Sequence, residues 1–82
     1  MYHFSHHFLE QIQLRSISML KVEDVISNSH QELMEDGLTV YQKVVVTVGR
    51  PYMIRVFVNK NKQPPVAVTV YKTSKIDKYL KL

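Results

Sequence analysis

The apolar residues of this chain change period once, and the change separates a helical front from a β-rich remainder. Phe4, Phe8, Leu9 and Ile12 recur at helical spacing, the pattern of a single buried stripe. Ser5 is a good N-cap for this segment, because its hydroxyl can accept from a backbone N–H of the first turn. The helix is expected to end near Arg15-Ser16, with His7, Gln11 and Arg15 four apart on another face. Ser18 caps a second expected helix running to about Ser27. Ile17 and Val22 stand at the two positions of a hydrophobic staple around that cap, and Leu20, Val22, Val25 and Ile26 form its apolar side. Asn28 to Gln31 reads as a turn or loop.

From Glu32 the helical spacing gives way to strand patterns. Glu32 to Glu35 is a short strand candidate. Asp36-Gly37 is a tight-turn signal, since both central residues of a type I′ turn need positive φ. Leu38 to Val48 is rich in β-branched residues and reads as a long central or bent strand. Gly49-Arg50-Pro51 is expected to turn the chain. Tyr52 to Val58 forms a third strand, Asn59 to Pro65 a polar loop, Val66 to Tyr71 a fourth strand, and Ile76 to Leu80 a last helical turn. The predicted fold class is α+β: two N-terminal helices packed on one face of a mainly antiparallel sheet of about four strands, in one domain over residues 1–82.

Alternation along the strands sorts the side chains by face. Tyr52, Ile54, Val56 and Val58 share one face with Val66, Val68 and Val70, and these aliphatic sets are expected to meet the helices. Met53, Arg55 and Phe57 then share the other face with Ala67, Thr69 and Tyr71. Tyr41 and Lys43 are expected to join that second face. A cation, hydroxyls and aromatic rings on an open sheet face suit RNA, with phosphate pairing to Arg and bases stacking on rings. The same residue types also occur on ordinary solvated sheets.

Size and charge narrow the picture. The chain has 82 residues and no cysteine, so it is long enough for one domain, and disulfides and thiolate metal sites are excluded. No apolar run approaches the roughly 20 residues of a membrane span, and the N-terminal stretch lacks the apolar core of a signal peptide. The expected location is cytoplasmic, with no membrane contact. Formal net charge is +4, which favours polyanionic partners. The charge is uneven: Lys60, Lys62, Lys72, Lys75, Lys78 and Lys81 fall in the last third, and Glu23, Asp24, Glu32, Glu35 and Asp36 cluster in the middle.

The chain contains no glycine-rich phosphate loop, no G-x-S-x-G elbow and no H-E-x-x-H. His3, His6 and His7 tempt a metal assignment, but Ser5 as N-cap leaves His3 outside the helix and no further ligand has a suitable spacing. No metal and no cofactor are therefore expected. Cleaving RNA through its own 2′-hydroxyl needs only proton transfer and positive charge near the phosphate. His7 and Tyr71 are the candidates for proton transfer, and Arg15, Arg55 and Lys72 for charge. Lys72-Thr73-Ser74-Lys75 is a hydroxyl-and-cation cluster suited either to phosphate or to a solvated turn in which Ser74 caps the last helix. The candidate catalytic residues are His7, Arg15, Arg55 and Tyr71. The candidate RNA contacts are Lys43, Phe57, Thr69, Lys72 and Lys75.

Ser5-His6-His7-Phe8 followed by Gln13-Leu14-Arg15-Ser16-Ile17-Ser18 resembles the S-x-H-A … R-x-I-S opening of a family of small bacterial domains grouped with the BrnT toxins and, more loosely, with the RelE-like ribonuclease toxins. Ile54-Arg55-Val56 is similar to the family's L-R-V strand, and Val68-Thr69-Val70-Tyr71 to its I-T-V-Y strand. Phe8 stands where the family often has Ala, and Ser16 where it often has Gly; both read as packing changes. The resemblance implies a compact sheet with two helices on one face, cleavage of mRNA, and neutralisation by a cognate antitoxin protein. It marks His7, Arg15, Arg55, Thr69 and Tyr71. A non-catalytic module that binds RNA, or a protein through an exposed sheet edge, is the alternative expectation, and a homodimer is left open.

Overall fold

The computed structural model describes residues 2–81. Strand β1 (His3–Phe4) leads into helices α1 (His6–Leu14) and α2 (Met19–Ser27). Strands β2 (Gln31–Glu35), β3 (Leu38–Thr47), β4 (Arg50–Asn59) and β5 (Val66–Thr73) follow, and helix α3 (Ile76–Tyr79) comes last. The five strands make one sheet in the order β1-β5-β4-β3-β2. All neighbours are antiparallel except β1, which runs parallel to β5. The class is α+β, with five strands rather than about four. The additional strand is only two residues long, too short to leave a periodic trace.

Both helix starts are local in origin. The Ser5 hydroxyl accepts from the backbone N–H of Phe8 at 3.0 Å, and the Ser18 hydroxyl from that of Lys21 at 3.1 Å. Each satisfies a donor that the first helical turn cannot pair internally. Helix α1 ends in a Schellman motif: the Ser16 N–H reaches the Gln13 carbonyl at 3.2 Å, and the Ile17 N–H reaches the Ile12 carbonyl at 2.9 Å. That motif places Ser16 at φ +53°, a conformation that glycine adopts at no steric cost. Ser16 therefore sits where backbone conformation, rather than packing, sets the demand. The core joins Phe8 of α1 and Val22 and Val25 of α2 to Tyr41, Val45, Ile54, Val56, Val58, Ala67 and Val70 of the sheet, with Ile17 between the helices. Phe8 is fully buried, and truncating such a side chain to Ala typically costs ~3–5 kcal/mol.

One hairpin turn matches its expectation and the other corrects it. Asp36 and Gly37 both have positive φ, as the type I′ reading requires. The β3–β4 turn, however, is centred on Val48 and Gly49, at φ +50° and +73°, and not on 49–51. A three-residue turn at 49–51 would pair odd-numbered residues of β3 with odd-numbered residues of β4. The two-residue turn pairs Tyr41 with Val56, Gln42 with Arg55, and Lys43 with Ile54. One residue of slip exchanges the faces of a strand. Tyr41 and Lys43 therefore lie on the helix side, and Val40, Gln42 and Val44 lie beside Arg55.

An irregularity between Phe57 and Val58 does the same on a smaller scale. Phe57 pairs with Thr69, but Val58 pairs with Ala67. Ala67 consequently enters the core instead of sharing a face with Thr69 and Tyr71.

Candidate functional site

The sheet face opposite the core is not open. Residues 76–81 cross it and bind to it through side-chain amides. Gln42 Nε2 donates to the Tyr79 carbonyl at 2.9 Å and to Gln31 Oε1 at 2.7 Å. The Lys81 N–H donates to Gln31 Oε1 at 2.9 Å, and Gln31 Nε2 donates to the Lys81 carbonyl. The Gln31 carboxamide thus pairs with one residue of the tail much as a neighbouring strand would.

Arg55 lies under this cover at 2% exposure. Its Nε donates to Gln42 Oε1 at 2.8 Å, its Nη1 to the Tyr71 hydroxyl at 2.6 Å, and its Nη2 to Glu35. Burial opposes the charge, but the bonds to Tyr71 and Glu35 outweigh it and raise the Arg55 pKa. Arg55, expected as a phosphate-facing catalytic residue, is instead buried, with each of its three nitrogens donating to another side chain of the protein. It is the centre of a buried polar network, and such a network is favourable when every member is satisfied. Among the described residues no buried side-chain nitrogen or oxygen lacks a partner.

A partly exposed strip runs along β5 beside this network. His7 Nε2 is 3.2 Å from the Thr69 hydroxyl. Arg15 Cζ is 6.0 Å from the centroid of the Tyr71 ring, and its Nε donates to Gln11 Oε1 at 3.0 Å. His7 and Arg15 are exposed, and Thr69 and Tyr71 are half-buried. The helix register explains the grouping: His7, Gln11 and Arg15 recur at four-residue spacing on one face of α1 and its C-cap. The strand register supplies the rest, because Thr69 and Tyr71 share a face of β5 about 6–7 Å apart. Phe57 stacks on Tyr71 with centroids 5.8 Å apart.

The phenols differ. Burial raises the pKa of Tyr71, and its bond to Tyr79 adds to this against the lowering effect of Arg55. That same bond from Tyr71 is the first cause of the lowered pKa of Tyr79, with Lys78 and Arg55 contributing. Tyr71 accepts from Arg55 and keeps its own proton to donate.

Three expected contacts separate from this strip, and a fourth reaches it through Tyr71. Lys43 pairs with Asp24 of α2 at 2.7 Å on the helix side. Lys72, opposite Ile54 in register, also points to the helix side, with Nζ 5.3 Å from the Tyr52 ring. Phe57 touches the strip through Tyr71 and lies on the other side 5.3 Å from Arg55 Cζ. Lys75 is exposed and stands at the N-cap of α3, and its N–H donates to the Thr73 hydroxyl at 3.0 Å. Ser74 is not the cap. Sequence reasoning missed Gln31, Glu35, Gln42 and Tyr79. Gln42 had a signal, a carboxamide inside the apolar run of β3; the others had none.

Among the described residues no three His, Cys, Asp or Glu side chains gather as a metal site. No helix among them is long and apolar enough to cross a membrane. No family model, no curated protein and no solved structure matches this chain.

Proposed function

We propose that this protein is a metal-independent endoribonuclease acting on mRNA, the toxin of a type II toxin–antitoxin pair, with a RelE/BrnT-like arrangement of two helices on one sheet face. The observation that carries the reading is the strip on which His7 meets Thr69 and Arg15 meets Tyr71. In that reaction His7 takes the proton of an RNA 2′-hydroxyl while Thr69 fixes the imidazole ring. The 2′-oxygen attacks phosphorus, the bond to the 5′-oxygen breaks, and the Tyr71 hydroxyl protonates the departing oxygen. A 2′,3′-cyclic phosphate and a free 5′-hydroxyl result. Arg15 stabilises the charge that develops on the phosphoryl oxygens. The chain's net charge of +4 assists encounter with RNA.

The alternative is a non-catalytic module that binds RNA or a protein. One observation favours the protein-binding form. β2 pairs with β3 only over Leu38–Gln42 and His30 Nδ1 accepts from the Val44 N–H at 3.2 Å, so the backbone of β3 past Val44 is open to an added strand. Val46 there is 71% exposed. A cognate antitoxin or a second copy of the chain would suit that edge.

Controlled expression in a bacterial host tests the two readings. For the ribonuclease, growth arrest and mRNA loss are expected with the wild type and not with folded His7→Ala or Arg15→Ala. Arrest retained in both variants would remove the strip as the site. No arrest with soluble, folded wild type would favour the binding module.

A further inference from the structure

We propose that the slot now filled by the Tyr79 ring is a nucleobase pocket, with residues 74–81 acting as a displaceable cover; this rests on the RNA reading above. Arg55 is the floor. Each of its three nitrogens donates to Gln42, Tyr71 or Glu35, and its Cζ lies over the Tyr79 ring, 4.5 Å from the centroid. Tyr71 meets Tyr79 edge-on at 5.9 Å and 66°. A guanidinium face with a ring edge beside it is the environment in which proteins stack an unpaired base.

The polar groups at the rim suit the same ligand. The Gln42 carboxamide now donates to the Tyr79 carbonyl, and the Gln31 carboxamide binds the Lys81 backbone as paired donor and acceptor. A base edge presents donors and acceptors of the same kind. Arg15, exposed beside Tyr71, is placed for the adjoining phosphate, which favours a nucleotide over a peptide.

The cover is lightly built. α3 has four residues, none buried, and its N-cap makes no side-chain hydrogen bond. A single helical turn does not sustain itself without packing. Vacating the slot therefore breaks mainly the amide contacts that an RNA base would replace.

The test is fluorescence anisotropy with a labelled adenosine hexanucleotide and its abasic counterpart, using full-length wild type, Tyr79→Ala and Tyr79→Phe. Tyr79→Ala should bind the hexanucleotide about fivefold tighter or more, the scale of one stacked base, without gaining on the abasic strand. Tyr79→Phe, which keeps the ring, should match the wild type. Should Tyr79→Ala fail to fold, Lys81→Pro, which removes the N–H that Gln31 accepts, carries the same expectation. Salt-dependent RNA binding that is unchanged or weaker in Tyr79→Ala, or equal on the abasic strand, would overturn the pocket and leave the RNA reading standing. Binding of a peptide with the sequence of residues 74–82 to Tyr79→Ala, with no gain on RNA, would assign the slot to peptide. No RNA binding by any of the proteins would overturn both readings.

Discussion

Arg55 and Tyr71 face each other on neighbouring strands, and the guanidinium Nη1 donates to the Tyr71 hydroxyl at 2.6 Å. The bond links a buried cation to the half-buried end of the strip formed with His7, Thr69 and Arg15. Arg55 thereby acts on the candidate site through Tyr71, by orienting a phenol and holding the sheet beneath it. Its replacement tests architecture before it tests chemistry.

Arg55→Ala should destabilise the fold by about 2–4 kcal/mol, because it strands Glu35 and Gln42 without their donor. For a domain of this size that is a fall in Tm of roughly 10–25 °C. Thermal denaturation by circular dichroism measures it. A variant that melts within a few degrees of the wild type would show that the buried network contributes little.

His7→Ala and Arg15→Ala should behave oppositely. Both side chains are exposed, and surface substitutions usually stay within about 0.5 kcal/mol. RNA cleavage is expected to disappear in each while Tm hardly moves. Cleavage should also persist in EDTA. Parallel loss of Tm and activity would make these residues structural.

Ser16 and Val48 hold left-handed backbone at φ +53° and +50°, which costs a residue with a Cβ roughly 1–2 kcal/mol. Val48 is also 94% exposed, so little packing offsets that strain. Ser16→Gly and Val48→Asn should each raise Tm by several degrees, Ser16→Gly by relieving a Schellman position and Val48→Asn by giving the type I′ turn a residue it favours. A drop in Tm for either would mean that the side chain contributes more than its backbone conformation costs.

Asp24 carries a pH dependence. The hydrogen bond from Lys43 comes first, that from Asn28 second, and together they hold its carboxyl below the usual range. A group with a depressed folded-state pKa contributes stability at pH above its unfolded value and loses it as pH falls through the folded value. Urea midpoints followed from about pH 5 down to pH 2 should therefore fall less steeply for Asp24→Asn than for the wild type. Superimposable slopes would show that the Lys43 pair does not couple to folding.

What the sequence by itself determined is local. The caps at Ser5 and Ser18 and the turn at Asp36-Gly37 depend on residues within one helical or β-turn, and those expectations match the structure. Alternation within β4 and part of β5 likewise put Arg55, Phe57, Thr69 and Tyr71 on one face, and the four-residue spacing of α1 put His7 and Arg15 on one stripe. Tertiary structure alone decided how those local pieces combine. The β3–β4 turn shifted to Val48-Gly49, where strain on a valine is outweighed by the paired strands. That shift carried Lys43 and Tyr41 to the helix side. The two-residue β1 formed only because β5 was there to pair with it. The tail closed over Arg55 through Gln31 and Gln42, partners that lie 37 to 50 residues away along the chain. No local propensity encodes a bond of that span, because its stability depends on surfaces that exist only after the sheet has assembled.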